Sequence, residues 1–164
     1  MEYQKMLDLK KIEEVFHDVS IKTKHKNKIV NFKLFYVTNI MQIYKVLEQK
    51  KYSHGPYNIF LVKEHKYRLI MSENIFDKII NHLLSKEILL PAIEPRLIDM
   101  NVATRKEKGT KLGLYYVKKY INDIKRKHKE FYVLKCNIKK YFYNIPKPYI
   151  KVNIYDRIWK RFEE

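Results

Sequence analysis

Chain breakers are few in this sequence, and their positions decide which stretches can run as regular structure. Five prolines and three glycines serve 164 residues. They cluster at His54-Gly55-Pro56, at Pro91 and Pro95, at Gly109 and Gly113, and at Pro146 and Pro148. Between the clusters, apolar residues recur at helical spacing. Met6, Leu7, Leu9, Ile12, Val15, Phe16 and Val19 predict an amphipathic helix over the first twenty residues. Lys22 to Lys28 reads as a basic linker. Thr38 or Asn39 is placed to cap a second helix through about Lys51, with Ile40, Ile43, Tyr44 and Leu47 on one face.

After the His54-Gly55-Pro56 break come two short runs of strand formers, Tyr57 to Val62 and Tyr67 to Met71. The polar segment Lys63-Glu64-His65-Lys66 separates them, which predicts a β-hairpin. Ser72 is placed to cap a helix through about Leu89, with Ile75, Ile79, Ile80, Leu83 and Leu84 as its stripe, and Pro91 and Pro95 should end it. Arg96 to Gly109 reads as a loop or irregular strand. Thr110 can cap a further helix through about Lys129, buried through Leu112, Leu114, Tyr115, Val117, Ile121 and Ile124. Phe131 to Ile138 is dense in strand formers and predicts a strand, with Cys136 inside it as a small buried hydrophobe. Ile154 to Phe162 can form a short terminal helix. The expected class is α+β, mainly helical, with a small antiparallel hairpin and one later strand.

Charge narrows the function. Thirty-five Lys and Arg against 18 Asp and Glu leave +17. Such a surface repels itself unless a polyanion neutralises it. The excess is concentrated: from Thr104 to Lys129 ten cations stand against Glu107 and Asp123. Tyr115, Tyr116, Tyr120, Tyr132, Tyr141, Phe142 and Tyr143 are interleaved with this charge or follow it. Cations beside aromatic faces suit a groove that tracks a nucleic-acid backbone and stacks its bases. The plain alternative for any single basic run is a solvated face.

Other classes are excluded. The hydrophobic fraction of 46% is too high for wholesale disorder. No run approaches the roughly 18 apolar residues of a membrane span. The N-terminus Met1-Glu2-Tyr3-Gln4-Lys5 lacks a signal-peptide pattern, which with a single cysteine points to a reducing, cytoplasmic setting. Three scattered glycines cannot build a Gly-rich phosphate loop. The six histidines show no metal-ligand spacing.

Three segments, in order, carry a resemblance: Tyr57-Asn58-Ile59-Phe60-Leu61-Val62-Lys63-Glu64-His65-Lys66-Tyr67-Arg68-Leu69-Ile70, then Ile98-Asp99-Met100-Asn101-Val102-Ala103-Thr104-Arg105-Lys106-Glu107-Lys108-Gly109-Thr110, then Val133-Leu134-Lys135-Cys136-Asn137-Ile138-Lys139-Lys140-Tyr141-Phe142-Tyr143-Asn144-Ile145. Together they resemble the N-terminal part of a reverse transcriptase, an RNA-directed DNA polymerase of the bacterial retron and group II intron type, over roughly Tyr52 to Ile145. The resemblance implies residues 1–51 as an N-terminal helical region, and 52–164 as fingers with the start of a palm. It implies an RNA template, a DNA primer and a dNTP as partners, and Mg²⁺ as cofactor. Lys63, Lys66 and Arg68 match basic positions of a fingers hairpin that hold the triphosphate, and Arg105 matches an arginine near template or nucleotide. Phe142 matches an aromatic that packs under the sugar. The alternatives are exposure on a turn for Lys63 and Lys66, a loose surface loop for Arg105, and a core aromatic for Phe142.

Two departures qualify the implied chemistry. The family's palm motif places an Asp, its first metal ligand, where this chain has Asn137. An amide oxygen is neutral and supplies none of the charge that holds a divalent cation between phosphates. Ile138 would offer only its backbone carbonyl. The family's later Asp-Asp loop also has no counterpart, since the acids after Ile145 are Asp156, Glu163 and Glu164. The expectation is therefore a polymerase fragment that binds nucleic acid and is inactive as this chain. The alternative is a stand-alone, non-catalytic basic nucleic-acid-binding module. A weaker third reading is a basic protein that binds an anionic membrane or an acidic partner.

Overall fold

A computed structural model describes residues 2–146 and 148, except His25, Glu64 and Lys140. The expected terminal helix at Ile154–Phe162 lies outside the described residues. The fold is α+β: among the described residues, helices run throughout and a single two-stranded antiparallel sheet accompanies them. The described residues form two compact units, one up to Ala92 and one from Ile93. Residues 51 and 52, where the resemblance begins, lie within the first unit.

The first unit is built on packed helices. A 3₁₀ turn (Glu2–Met6) leads into α1 (Leu9–Lys22), capped by Asp8, whose carboxylate accepts the Lys10 N–H at 2.9 Å. Ile12, Val15, Phe16 and Val19 lie at i, i+3, i+4 and i+7, and all four are buried, as the spacing predicts. The stretch expected to be a basic linker instead runs into a helix, α2 (Lys26–Leu34). Only Ile29 and Phe32 anchor it, too few to show a period, and the Phe32 ring stacks on Phe16 at 4.9 Å between centroids. α3 (Tyr36–Glu48) buries Ile40, Ile43 and Leu47. It begins before Thr38, and Asn39 does not cap it. The Asn39 amide donates to the Phe32 carbonyl at 3.0 Å and ties α2 to α3.

The hairpin forms as expected, with β1 (Asn58–Lys63) paired to β2 (Tyr67–Ser72). Ser72 ends β2 rather than capping the next helix. That cap is Asn74, whose side chain accepts the Asp77 N–H at 2.8 Å and opens α4 (Ile75–Leu84). α4 packs on α1 and α3 through Ile75, Ile79, Ile80 and Leu83. The helix does not stop before Pro91. A π-helical turn (Ser85–Leu89) closes with the Leu90 N–H on the Ser85 carbonyl, and α5 (Leu90–Ile93) follows. Pro91 therefore sits in the first turn of a new segment, where its missing N–H costs nothing.

In the second unit, the 97–109 loop leads into α6 (Thr110–Lys127). Gly109 precedes the helix in extended conformation, and Thr110 is its first residue rather than its cap. Three further expectations are corrected here. No residue of α6 is buried: Leu114, Tyr115, Val117 and Ile124 are exposed, because periodicity fixes an apolar face but not what covers it. Phe131 to Ile138 takes no regular structure and joins no ladder among the described residues, and Tyr132 and Leu134 are 95% and 87% exposed. Strand propensity without a partner strand does not make a sheet. Cys136 is accordingly exposed, not buried. The short α7 (Tyr141–Asn144) follows. Among the described residues, no helix is long and apolar enough to cross a membrane.

Candidate nucleic-acid interface

A buried carboxylate anchors the entry to the hairpin. Asp77 is 2% exposed and accepts three hydrogen bonds: from the Tyr52 hydroxyl at 2.9 Å, the Gly55 N–H at 3.0 Å and the Asn74 amide at 2.7 Å. A charge out of water needs this number of donors. Burial, then the bond to Asp77, pushes the Tyr52 hydroxyl above its ordinary range. Gly55 is required by space. A Cβ there would stand 2.8 Å from Asn74 Nδ2 and 3.0 Å from Asp77 Oδ2. The His54 ring lies over Tyr57 at 4.6 Å, with Nδ1–H donating to the Gly55 carbonyl at 2.6 Å. The break that reads as a simple turn in the sequence is thus a tied corner from which β1 departs. Sequence reasoning missed Tyr52, Asn74 and Asp77; the one available signal was Asn74 as a second capping residue beside Ser72.

The hairpin register sets where its cations point. Phe60 pairs with Ile70 and Val62 with Arg68 on one face; Ile59 with Met71, Leu61 with Leu69 and Lys63 with Tyr67 on the other. Lys63 Nζ stands over the Tyr67 ring at 5.7 Å, a cation–π pair at the end of the strands. Lys66 is exposed in the turn, so both it and Lys63 are accessible, and Arg68 projects from the opposite face. The register thus puts Lys63 and Lys66 at the hairpin tip and Arg68 one pair further in, on the other face.

Arg105 is held differently. Its side chain is 12% exposed, and its guanidinium meets Glu94 Oε1 at 3.4 Å and donates to the Ile98 and Asn101 carbonyls at 3.3 Å. It pins a loop in which Thr104 and Glu107 take φ of 58° and 60°. The loop is tied rather than loose, and the Arg105 donors face inward. Lys108 adds a 3.6 Å pair to Asp99.

A basic array lies on α6. Lys111, Lys118 and Lys125 are seven residues apart, and Lys119 and Arg126 repeat the interval. Seven residues are nearly two helical turns, so these five share one side, with Tyr115 among them. All six are exposed. The Tyr115, Tyr116 and Tyr120 rings follow one another at 5.8 and 6.5 Å. Leu114 and Ile121, and Val117 and Ile124, occupy the other side at the same interval. The basic run was legible in the sequence; the stripe is its helical form.

Asn137 and Ile138 lie exposed in the irregular segment before α7, and Phe142 lies on α7, its side chain outside the described residues. Asn137 brings a neutral amide and Ile138 a carbonyl. These donors do not fit a catalytic Mg²⁺, which takes carboxylates. Among the described residues, no cluster of three His, Cys, Asp or Glu side chains could hold a metal. No family model matches the chain, and no curated protein matches it.

Proposed function

We propose that the chain binds a nucleic-acid primer–template along α6 and a dNTP at the hairpin tip, as the fingers and first palm segment of an RNA-directed DNA polymerase. The observation that carries the binding is the α6 stripe: five cations and Tyr115 on one exposed side of an 18-residue helix with no buried residue. Spaced ammonium and guanidinium groups match the repeating phosphates of a strand, and tyrosine faces take bases of any sequence. The polymerase reading rests in addition on the three ordered segments and on the basic residues Lys63, Lys66 and Arg68 near one end of the hairpin. The exposed apolar residues of 131–138 fit a palm strand. With Asn137 in place of a carboxylate, this chain alone holds no metal for phosphoryl transfer and does not extend a primer. One observation favours a second reading, the stand-alone, non-catalytic binding module: the α6 stripe needs nothing from the palm.

Photo-crosslinking separates the two. An azido-dNTP, in the presence of an RNA template annealed to a DNA primer, should label the peptide spanning residues 58–72, and unlabelled dNTP should compete. No primer should be extended with Mg²⁺. Labelling elsewhere, or labelling without competition, overturns the dNTP role and leaves the module. Visible extension overturns the role given to Asn137.

A further inference from the structure

The first unit holds an open cleft of about 460 Å³ between α2, the start of α3, the first residue of β1 and the start of α4. Aromatic rings, amides and one ammonium line it. Phe32 forms part of the wall, one ring face already on Phe16. Phe35 stands at the lip, 66% exposed, and Phe76 lines the cleft from α4; neither ring has an aromatic or cationic partner among the described residues. Asn31 and Lys28 also line it, and neither side chain has a hydrogen bond or ion pair among the described residues. The Asn39 amide nitrogen is used by the Phe32 carbonyl, which leaves its oxygen to accept.

The geometry points to a nucleotide subsite in this cleft: a nucleobase laid on the exposed Phe35 ring, its edge read by Asn31 and Asn39, its phosphate met by Lys28. Phenyl rings stack on the π-face of any base. A carboxamide donates and accepts side by side, which matches the paired donor and acceptor on an adenine edge. One ammonium suits one phosphate. A purely hydrophobic ligand would leave the Lys28 charge and the Asn31 amide unmatched. The site shares no residue with α6 or with Lys63, Lys66 and Arg68, so it does not rest on the polymerase reading. The same chemistry is offered by a free mononucleotide and by one unpaired nucleotide of a strand.

The test is NMR titration of the full chain with AMP, with ribose 5-phosphate, and with a five-nucleotide adenine RNA. AMP should shift amide signals of residues 28–39 and 74–76, and ribose 5-phosphate should not. Phe35→Ala should weaken AMP about tenfold, the loss of one stacked face. Lys28→Ala should weaken AMP but not adenosine. Both side chains lie at the cleft and outside the packed core, and the unchanged spectrum of the remaining residues checks folding. Shifts with AMP identify a free-nucleotide site; shifts with the RNA alone identify a strand nucleotide. No shift in these residues with either ligand overturns the proposal. So does AMP binding that survives both substitutions unchanged. Removal of α6 cations should leave AMP affinity as it was, which keeps this outcome separate from that of the crosslinking.

Discussion

Asp77 shows how one residue governs a strand it never touches. Its carboxylate gathers the Tyr52 hydroxyl, the Gly55 N–H and the Asn74 amide, and β1 begins three residues after Gly55. Asp77→Ala strands three donors in a half-buried corner, and each donor left unpaired costs about 1–3 kcal/mol. Urea unfolding should therefore show a loss of about 3 kcal/mol or more for Asp77→Ala, and about 1–2 kcal/mol for Tyr52→Phe. Gly55→Ala should also destabilise. The new methyl meets an Asn74 side chain held by two bonds, which cannot swing away. Equal stability of Gly55→Ala and the native chain would mean that the corner is slack. Little of this was legible, because a carboxylate shortly after a strand looks like any first-turn Asp. Its role depends on Tyr52 and Gly55, which only folding brings to it. His82 gives a pH effect of definite sign. Burial first, then Lys78 and Lys22, lowers its pKa from 6.5. The unfolded chain then binds more protons than the native one below that value, so stability falls as pH drops through 6.5. Urea midpoints at pH 7.5 and 5.5 should move apart, and His82→Gln should remove that part of the difference.

At the scale of elements, apolar periodicity spoke truly about faces and said nothing of neighbours. α1, α3 and α4 bury the residues their spacing marks, and Ile43, Ile79 and Leu83 are fully enclosed. α6 has equally regular spacing, with Leu114 and Val117 over half exposed. The same holds for strands. The two hairpin runs are close in sequence and find each other through a short turn, whereas 131–138 has no such partner among the described residues. α2 was hidden for the opposite reason: two anchors in a lysine-rich stretch leave no period to read. Two substitutions measure the contrast. Leu83→Ala opens a cavity in a closed core and should cost about 2–5 kcal/mol. Leu114→Ala removes an exposed side chain and should change stability by less than about 0.5 kcal/mol. A large destabilisation at Leu114 would show that the apolar side of α6 is covered in solution.

Across the whole molecule, the question is whether +17 acts as a diffuse field or through a surface with a shape. A diffuse field would attract any polyanion in proportion to net charge and would ignore where each lysine sits. The α6 stripe makes a different demand, because it sets five cations along one side of one helix and places Tyr115 among them. Paired charge reversals separate these cases. Lys118→Glu with Lys125→Glu, and Lys10→Glu with Lys45→Glu, each lower the net charge from +17 to +13. All four lysines are exposed, so neither pair disturbs a core. Every phosphate that is no longer neutralised should flatten the log–log salt dependence by about 0.9 on duplex and about 0.7 on a single strand. The α6 pair should therefore flatten the slope on an RNA–DNA primer–template by the share of two phosphates, and weaken binding severalfold or more at moderate salt. The pair on α1 and α3 should shift affinity weakly and leave the slope near that of the native chain. Fluorescence anisotropy over a salt series reads both quantities at once. Equal slopes for the two variants would assign binding to the overall field and remove α6 from the interface. Unequal slopes, with the α6 pair the flatter, would locate the bound strand on the helix, because a charge removed elsewhere cannot release counterions from phosphates it does not meet.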